Sequence, residues 1–132
     1  MANLNYRSQF HNSYAGQMVS LLAKVSIGSS GAPTLVSGTG MGILSVTRNS
    51  AGAYTFALSN PFYSLLGVRV SIKSGSSAPA APIMNIVTDS ANVTAAPLVK
   101  IQMRDLSAVA TDPASGEVLY VELMFNRSST GN

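Results

Sequence analysis

Few side chains in this chain could take part in catalysis or bind a metal ion, and they lie far apart. The 132 residues include one histidine, His11, no cysteine and five carboxylates. A Ser/His/Asp catalytic site would have to use His11, and a zinc site would need several His or Cys ligands. A lone histidine among polar residues is typical of a surface or interface position. We therefore expect no enzyme activity, no cofactor and no metal.

The carboxylates are not spaced as a catalytic pair. Glu117 and Glu122 are five residues apart, so on one strand they face opposite sides and do not form a glycosidase pair as they stand. Asp89, Asp105 and Asp112 lie in or beside loops, where oxygen ligands could assemble a calcium site. Capping of turns is the preferred interpretation of these three residues, because Asp commonly bonds its own backbone in turns.

The surface is expected to be polar without being strongly charged. Hydrophobic residues make up 46% of the chain and charged residues 10%, against about 25% charged in ordinary domains. Weakly charged surfaces keep monomers apart poorly, which favours burial against other chains. The eight Lys and Arg residues are scattered, whereas nucleic-acid binding needs a clustered basic stripe. No apolar run reaches the ~20 residues of a membrane span, so neither nucleic acid nor membrane is an expected partner.

Alternation of apolar and polar residues predicts antiparallel strands along the chain. The segments AKVSI at 23–27, VRVSIK at 68–73 and LVKIQMR at 98–104 each have one apolar and one polar face. This pattern is typical of strands with one buried and one wetted face. Lys24 and Arg69 are expected on wetted faces.

Three other segments are apolar on both faces, at 118–125, 64–68 and 83–87. A strand covered on both sides lies in the centre of a sheet or between subunits. The sequence leaves these two alternatives open.

Turn residues separate the strands at short intervals. In SVTRNSAGAYTFALS, strands at 43–48 and 54–58 flank a five-residue connection at 49–53, in which Gly52 takes positive φ without steric cost. Seven or so strands at this spacing predict an all-β protein. We expect an antiparallel β-sandwich or a jelly-roll-like barrel, as a single domain over residues 18–132.

Residues 1–17, MANLNYRSQFHNSYAGQ, are predicted to form an extended N-terminal arm. The segment is polar with interleaved aromatic residues and alternates poorly, so it cannot form a core alone. A strand folded back on its own domain is the alternative. We expect the arm to bind a partner through Tyr6, Arg7, Phe10, His11 and Tyr14.

Two segments carry a family resemblance: AKVSIGSSGAPTLVSGTGMGILSVTRNSAGAYTFAL at 23–58 and ATDPASGEVLYVELMFNRSS at 110–129. Their order of strands and turns resembles that of small virion proteins of tailed bacteriophages, the capsid decoration or cement proteins. The matching positions are Ile27-Gly28, Ser30-Gly31, Gly38-Thr39-Gly40, Val46-Thr47-Arg48, Gly52-Ala53-Tyr54-Thr55 and the Asp-Pro-Ala-Ser-Gly loop.

The resemblance implies a homotrimer on the outside of a capsid, with the major capsid protein as partner. The chain would be made in the host cytoplasm and clamp neighbouring coat subunits in the virion. Two other classes of function stay open. A receptor-binding or fibre module would use loops 74–82 and 89–97, although the chain leaves no room for a long shaft. A sugar-cleaving enzyme would need two facing carboxylates.

Overall fold

The computed structural model describes residues 18–75 and 78–126, which form eight strands in two sheets. Sheet A has the strand order β2-β1-β8-β5 and sheet B the order β3-β4-β7-β6, and all neighbouring strands are antiparallel. The strands are β1 (Met18–Ile27), β2 (Pro33–Leu35), β3 (Ile43–Ser50), β4 (Ala53–Leu58), β5 (Ser64–Lys73), β6 (Ile83–Ser90), β7 (Leu98–Arg104) and β8 (Val118–Asn126).

The two sheets pack face to face around one hydrophobic core. Alternate residues of each strand point inward, and those of both sheets belong to a single buried cluster. Its largest members are Tyr54, Phe56, Phe125, Ile27 and Leu58. The predicted all-β fold is therefore confirmed, as a sandwich of two antiparallel four-stranded sheets. The predicted arm at 1–17 lies outside the described residues.

β8 lies between β1 and β5, as its apolar residues on both faces predicted. The other two segments of this kind lie in β5 and β6, which are edge strands of their sheets. A central position is therefore wrong for these two strands, and the alternative, a position between subunits, stays a prediction. A register shift between Leu65 and Gly67 leaves Leu66 exposed, and a shift between Ile86 and Thr88 leaves Val87 exposed. Each bulge turns one extra apolar residue outward, which explains the continuous apolar run.

The hairpin between β3 and β4 is tighter than expected. Ser50 pairs with Ala53, so Ala51 and Gly52 alone form the turn, instead of the predicted five-residue connection. A register shift between Arg48 and Ser50 accommodates the remaining residue as a bulge.

Met18 pairs with Asn126 at the end of sheet A. Residues 1–17 therefore join the sandwich beside the point where residues 127–132 leave it. Among the described residues, no helix is long and apolar enough to span a membrane.

Gly52 provides a test of the hairpin, because its φ of +70° is combined with close contacts. A Cβ at this position would overlap the carbonyl oxygen of Met103 and crowd the backbone of Thr111. Gly116 also has positive φ, +91°, but nothing lies within 4 Å of a Cβ there. We expect Gly52→Val to lower the free energy of unfolding by more than the ~1–3 kcal/mol that backbone strain alone costs.

The matched control is Gly116→Val, which introduces the same side chain at positive φ without the overlap. Urea unfolding of both variants measures the difference. Equal losses of stability would contradict the close approach of the hairpin to Met103.

Candidate functional site

A group of polar side chains around Asp112 has the composition of a catalytic site. Asp112 accepts hydrogen bonds from Arg48 Nε at 3.0 Å and Nη2 at 2.8 Å, and from the Gly52 backbone N–H at 2.8 Å. The Tyr54 hydroxyl lies 2.8 Å from the carbonyl oxygen of Gly31 and 3.2 Å from Asp112 Oδ1. We call these residues the Asp112 cluster.

The pKa shifts of Asp112 and Tyr54 favour a structural role for the Asp112 cluster. The hydrogen bond from Arg48 is the main cause that lowers the pKa of Asp112, and the Gly52 N–H acts in the same direction. Burial, followed by the negative charge of Asp112, raises the pKa of Tyr54. Asp112 therefore stays ionised and Tyr54 stays protonated, so neither exchanges a proton near neutral pH. The cluster joins the turn at Gly31 and the β3–β4 hairpin to the loop before β8.

Turn capping was wrong for Asp112, which bonds Arg48 and Gly52 across the sandwich, but the other two aspartates cap turns as predicted. Asp105 Oδ1 accepts hydrogen bonds from the N–H groups of Ser107 at 2.9 Å and Val109 at 3.0 Å. Asp89 accepts one from Ala91 at 3.2 Å. In the part of the chain that the structure describes, no three His, Cys, Asp or Glu side chains are grouped so that they could hold a metal ion.

Glu117 and Glu122 are held in different environments, which agrees with their predicted separation. Glu117 is buried and accepts hydrogen bonds from Ser74 Oγ and the Ala114 N–H, both at 3.0 Å. Glu122 lies on the outer face of sheet A, where Arg69 Nη1 approaches its Oε1 at 3.5 Å.

A groove of about 480 Å³ crosses the outer face of sheet A, and we call it the outer groove. The strand register places its side chains in two adjacent rows across β1, β8 and β5. One row is Leu22, Glu122 and Arg69, and the next is Lys24, Tyr120 and Ser71.

The segment after β2 forms one wall of the outer groove. Val36 N–H donates to the Lys24 carbonyl oxygen at 2.9 Å, and Gly40 N–H donates to that of Leu22 at 2.9 Å. The Lys24 N–H in turn donates to Thr39 Oγ1 at 3.1 Å. Residues 36–40 thus follow β1 as an irregular continuation of the sheet, and the wall is fixed by the backbone.

The outer groove combines exposed apolar surface with cations. Leu22 is 61% exposed and Tyr120 39% exposed. Lys24 Nζ lies 5.2 Å from the centroid of the Tyr120 ring, within the range of a cation–π contact. Lys73 lies on the same face one row further along, paired with Val118. The residues that line the outer groove include no nucleophile paired with a base.

The site residues predicted from the sequence, Tyr6, Arg7, Phe10, His11 and Tyr14, all lie outside the described residues. Sequence reasoning missed the outer groove, although alternation correctly placed Lys24 and Arg69 on outer faces. The missing information was the register that brings β1 and β5 to either side of Tyr120.

The fold is an all-β sandwich whose sheet A carries the outer groove on its outer face. A scan of protein-family models, a search of curated proteins and a search of solved structures each found no match to this chain.

The Asp112 cluster predicts a specific dependence of stability on pH. Because the folded-state pKa of Asp112 is lowered, its contribution is present above the unfolded value, about 3.9. That contribution is lost as pH falls through the lower folded-state value. We expect Asp112→Asn to cost on the order of 1.5–3 kcal/mol at neutral pH and to reduce the loss of stability on acidification.

Urea unfolding of both proteins between neutral and acidic pH measures this effect. Arg48→Gln and the double variant Arg48→Gln/Asp112→Asn complete a double-mutant cycle. In the Arg48→Gln background, Asp112→Asn should lower the free energy of unfolding much less than it does in the wild-type protein. Parallel pH curves for the wild-type protein and Asp112→Asn would show that the cluster does not stabilise the ionised carboxylate.

Proposed function

We propose that this chain is a structural virion protein that binds the outer surface of a phage capsid as an oligomer and cements neighbouring coat subunits. The observation that carries the proposal is the outer face of sheet A, where Leu22 and Tyr120 are exposed beside a groove. Exposed apolar residues around a groove are typical of an interaction site. The polar-aromatic residues 1–17 join the sandwich at the end of this same sheet.

The residues that carry the family resemblance support the proposal through their structural roles. Thr39 of the Gly-Thr-Gly segment belongs to the wall of the outer groove. Asp112 of the Asp-Pro-Ala-Ser-Gly loop anchors that loop to Arg48 and Gly52. The order of turns on which the resemblance rests therefore corresponds to elements that shape the sandwich and its outer groove.

The energetics of a cement protein suit weak individual contacts. A protein that binds only the assembled shell stabilises it by mass action. In a trimer, which is the state that the resemblance implies, each contact raises the effective concentration of the next. The low charged fraction of the chain, 10%, and the exposed apolar residues on the outer face of sheet A are compatible with such repeated, modest contacts.

A receptor-binding module of a phage tail or head is the second candidate. The outer groove favours it, because concave sites with an aromatic residue and a few convergent polar groups suit small ligands. The two candidates differ in copy number: a cement protein covers the lattice, whereas a receptor-binding module occurs in a few copies.

The first test is the ratio of this chain to the major capsid protein in purified particles, by quantitative mass spectrometry. The proposal predicts one copy per coat subunit or a simple fraction of that number. A handful of copies per particle would favour the receptor-binding candidate, and absence from particles would overturn both.

Deletion of residues 1–17 tests the predicted arm. The core strands begin at Met18, so we expect the shortened protein to keep its circular dichroism spectrum and melting temperature. It should bind particles that lack this chain much more weakly, because the aromatic side chains of the arm are lost. Loss of folding would instead make residues 1–17 part of the sandwich.

A matched full-length variant separates the aromatic residues from chain length. Tyr6→Ser, Phe10→Ser and Tyr14→Ser, made together, should reproduce the binding defect of the deletion. Particle binding equal to that of the wild-type protein would contradict the assignment of these residues to the partner contact.

A further inference from the structure

We infer that the outer groove binds an extended, acidic peptide segment of a partner protein. The inference deepens the proposed function, under which that segment belongs to the coat protein. Its basis is the charge of the face, the exposed donors on that face and the chemistry of the other possible occupants.

The outer face of sheet A carries more positive than negative charge. Lys24, Arg69 and Lys73 lie on it, against the single carboxylate of Glu122. Arg69 and Lys73 share one face of β5, and strand pairing through β8 places Lys24 of β1 on the same face. A partner with carboxylates complements this surface.

The cations retain donors for such a partner. The Arg69 side chain is 72% exposed, and within the described part of the chain it contacts Glu122 only through Nη1, at 3.5 Å. The planar guanidinium can therefore donate two parallel hydrogen bonds to a carboxylate, in the bidentate geometry that Arg favours. Lys24 Nζ lies over the Tyr120 ring at 5.2 Å, which leaves its ammonium protons for a further acceptor.

The shape of the groove suits an extended chain. Neighbouring strands lie about 4.8 Å apart, so β1 and β5 are about 10 Å apart across β8. In an extended segment, side chains two positions apart lie on one face and about 7 Å from each other. Two acidic residues at this spacing reach Lys24 and Arg69, whose long side chains cover the remaining distance, while an apolar side chain packs against Leu22.

Other occupants are less well matched. Residues 1–17 contain Arg7 and neither Asp nor Glu, and residues 127–132 contain Arg127 and neither Asp nor Glu. A second copy placed face to face would oppose cations with cations. A sugar would normally stack on the exposed aromatic ring, but Lys24 already occupies the position above Tyr120.

The test uses the full-length protein and a short fluorescein-labelled peptide with two glutamates and one leucine at alternate positions and serine between them, so that all three side chains lie on one face of the extended segment. Fluorescence anisotropy should show binding that weakens as NaCl rises from about 50 to about 300 mM, because exposed charge pairs are screened. The same peptide with glutamine in place of glutamate should bind at least about tenfold more weakly. Equal binding of the two peptides would overturn the inference.

Variants locate the binding to the groove. Lys24→Gln/Arg69→Gln should weaken peptide binding about tenfold or more. The matched control, Lys100→Gln/Arg104→Gln, removes the same charge from β7 in sheet B and should change binding less than about twofold. Melting temperatures establish that both variants are folded. Equal effects of the two pairs would show that net charge, and not the groove, attracts the peptide.

An oligogalacturonate of similar charge is the competing probe. Binding of this acidic sugar without binding of the peptide would overturn the assignment to a peptide and favour the receptor-binding candidate. The measurement needs no particles, so its failure is distinguishable from that of the virion proposal. Conversely, if the chain binds the peptide but is absent from particles, the inference about the outer groove stands and the proposed function in the virion is overturned.

Discussion

The pairing of β8 with both β1 and β5 is the constraint on which the core and the outer groove depend. Along this register the inward residues of the three strands line the core, and the outward residues form rows across the sheet. Because side chains alternate, a shift of one residue in β8 would turn Tyr120 and Glu122 inward and Leu119 and Val121 outward. The same hydrogen bonds therefore position the core and the site.

The loop before β8 determines where that register begins. Gly116 N–H donates to the Ile27 carbonyl oxygen at 2.8 Å, and Ile27 N–H donates to that of Glu117 at 2.9 Å. Upstream, Asp112 ties the loop to the β3–β4 hairpin of the other sheet. Asp112 and Glu117 are only five residues apart, and the Glu117 carboxylate accepts hydrogen bonds from Ser74 Oγ, just after β5, and from the Ala114 N–H. Backbone hydrogen bonds therefore align the start of β8 with β1, while the two carboxylates tie the loop to sheet B and to the end of β5.

Local patterns predicted the strands and their faces, but not which strands meet. Alternation placed Lys24 and Arg69 outward, and the loop position of Asp112 suggested a turn cap. A shift of two residues preserves every inward and outward position, so no local pattern could align Lys24 with Tyr120. The Arg48–Asp112 contact spans 64 residues, and only the packed sandwich brings its members together. The sequence did not show that β5 and β6 are edge strands, because a bulge and a strand covered on both faces both appear as apolar runs.

The chain uses four of its five carboxylates in hydrogen bonds to its own backbone, and this affects the charge of the outer face of sheet A. Asp89, Asp105, Asp112 and Glu117 each accept a hydrogen bond from a backbone N–H group. Of the five carboxylates, only Glu122 lies in the outer groove. Among the cations that the structure describes, Arg48 is the one that forms a salt bridge with one of these four backbone-bonded carboxylates, Asp112. Basic residues are therefore in excess on the outer face of sheet A, where Arg69 and Lys73 share one face of β5 and strand pairing places Lys24 beside them. A face selective for acidic partners follows from this division, even in a chain with a formal net charge of only +3.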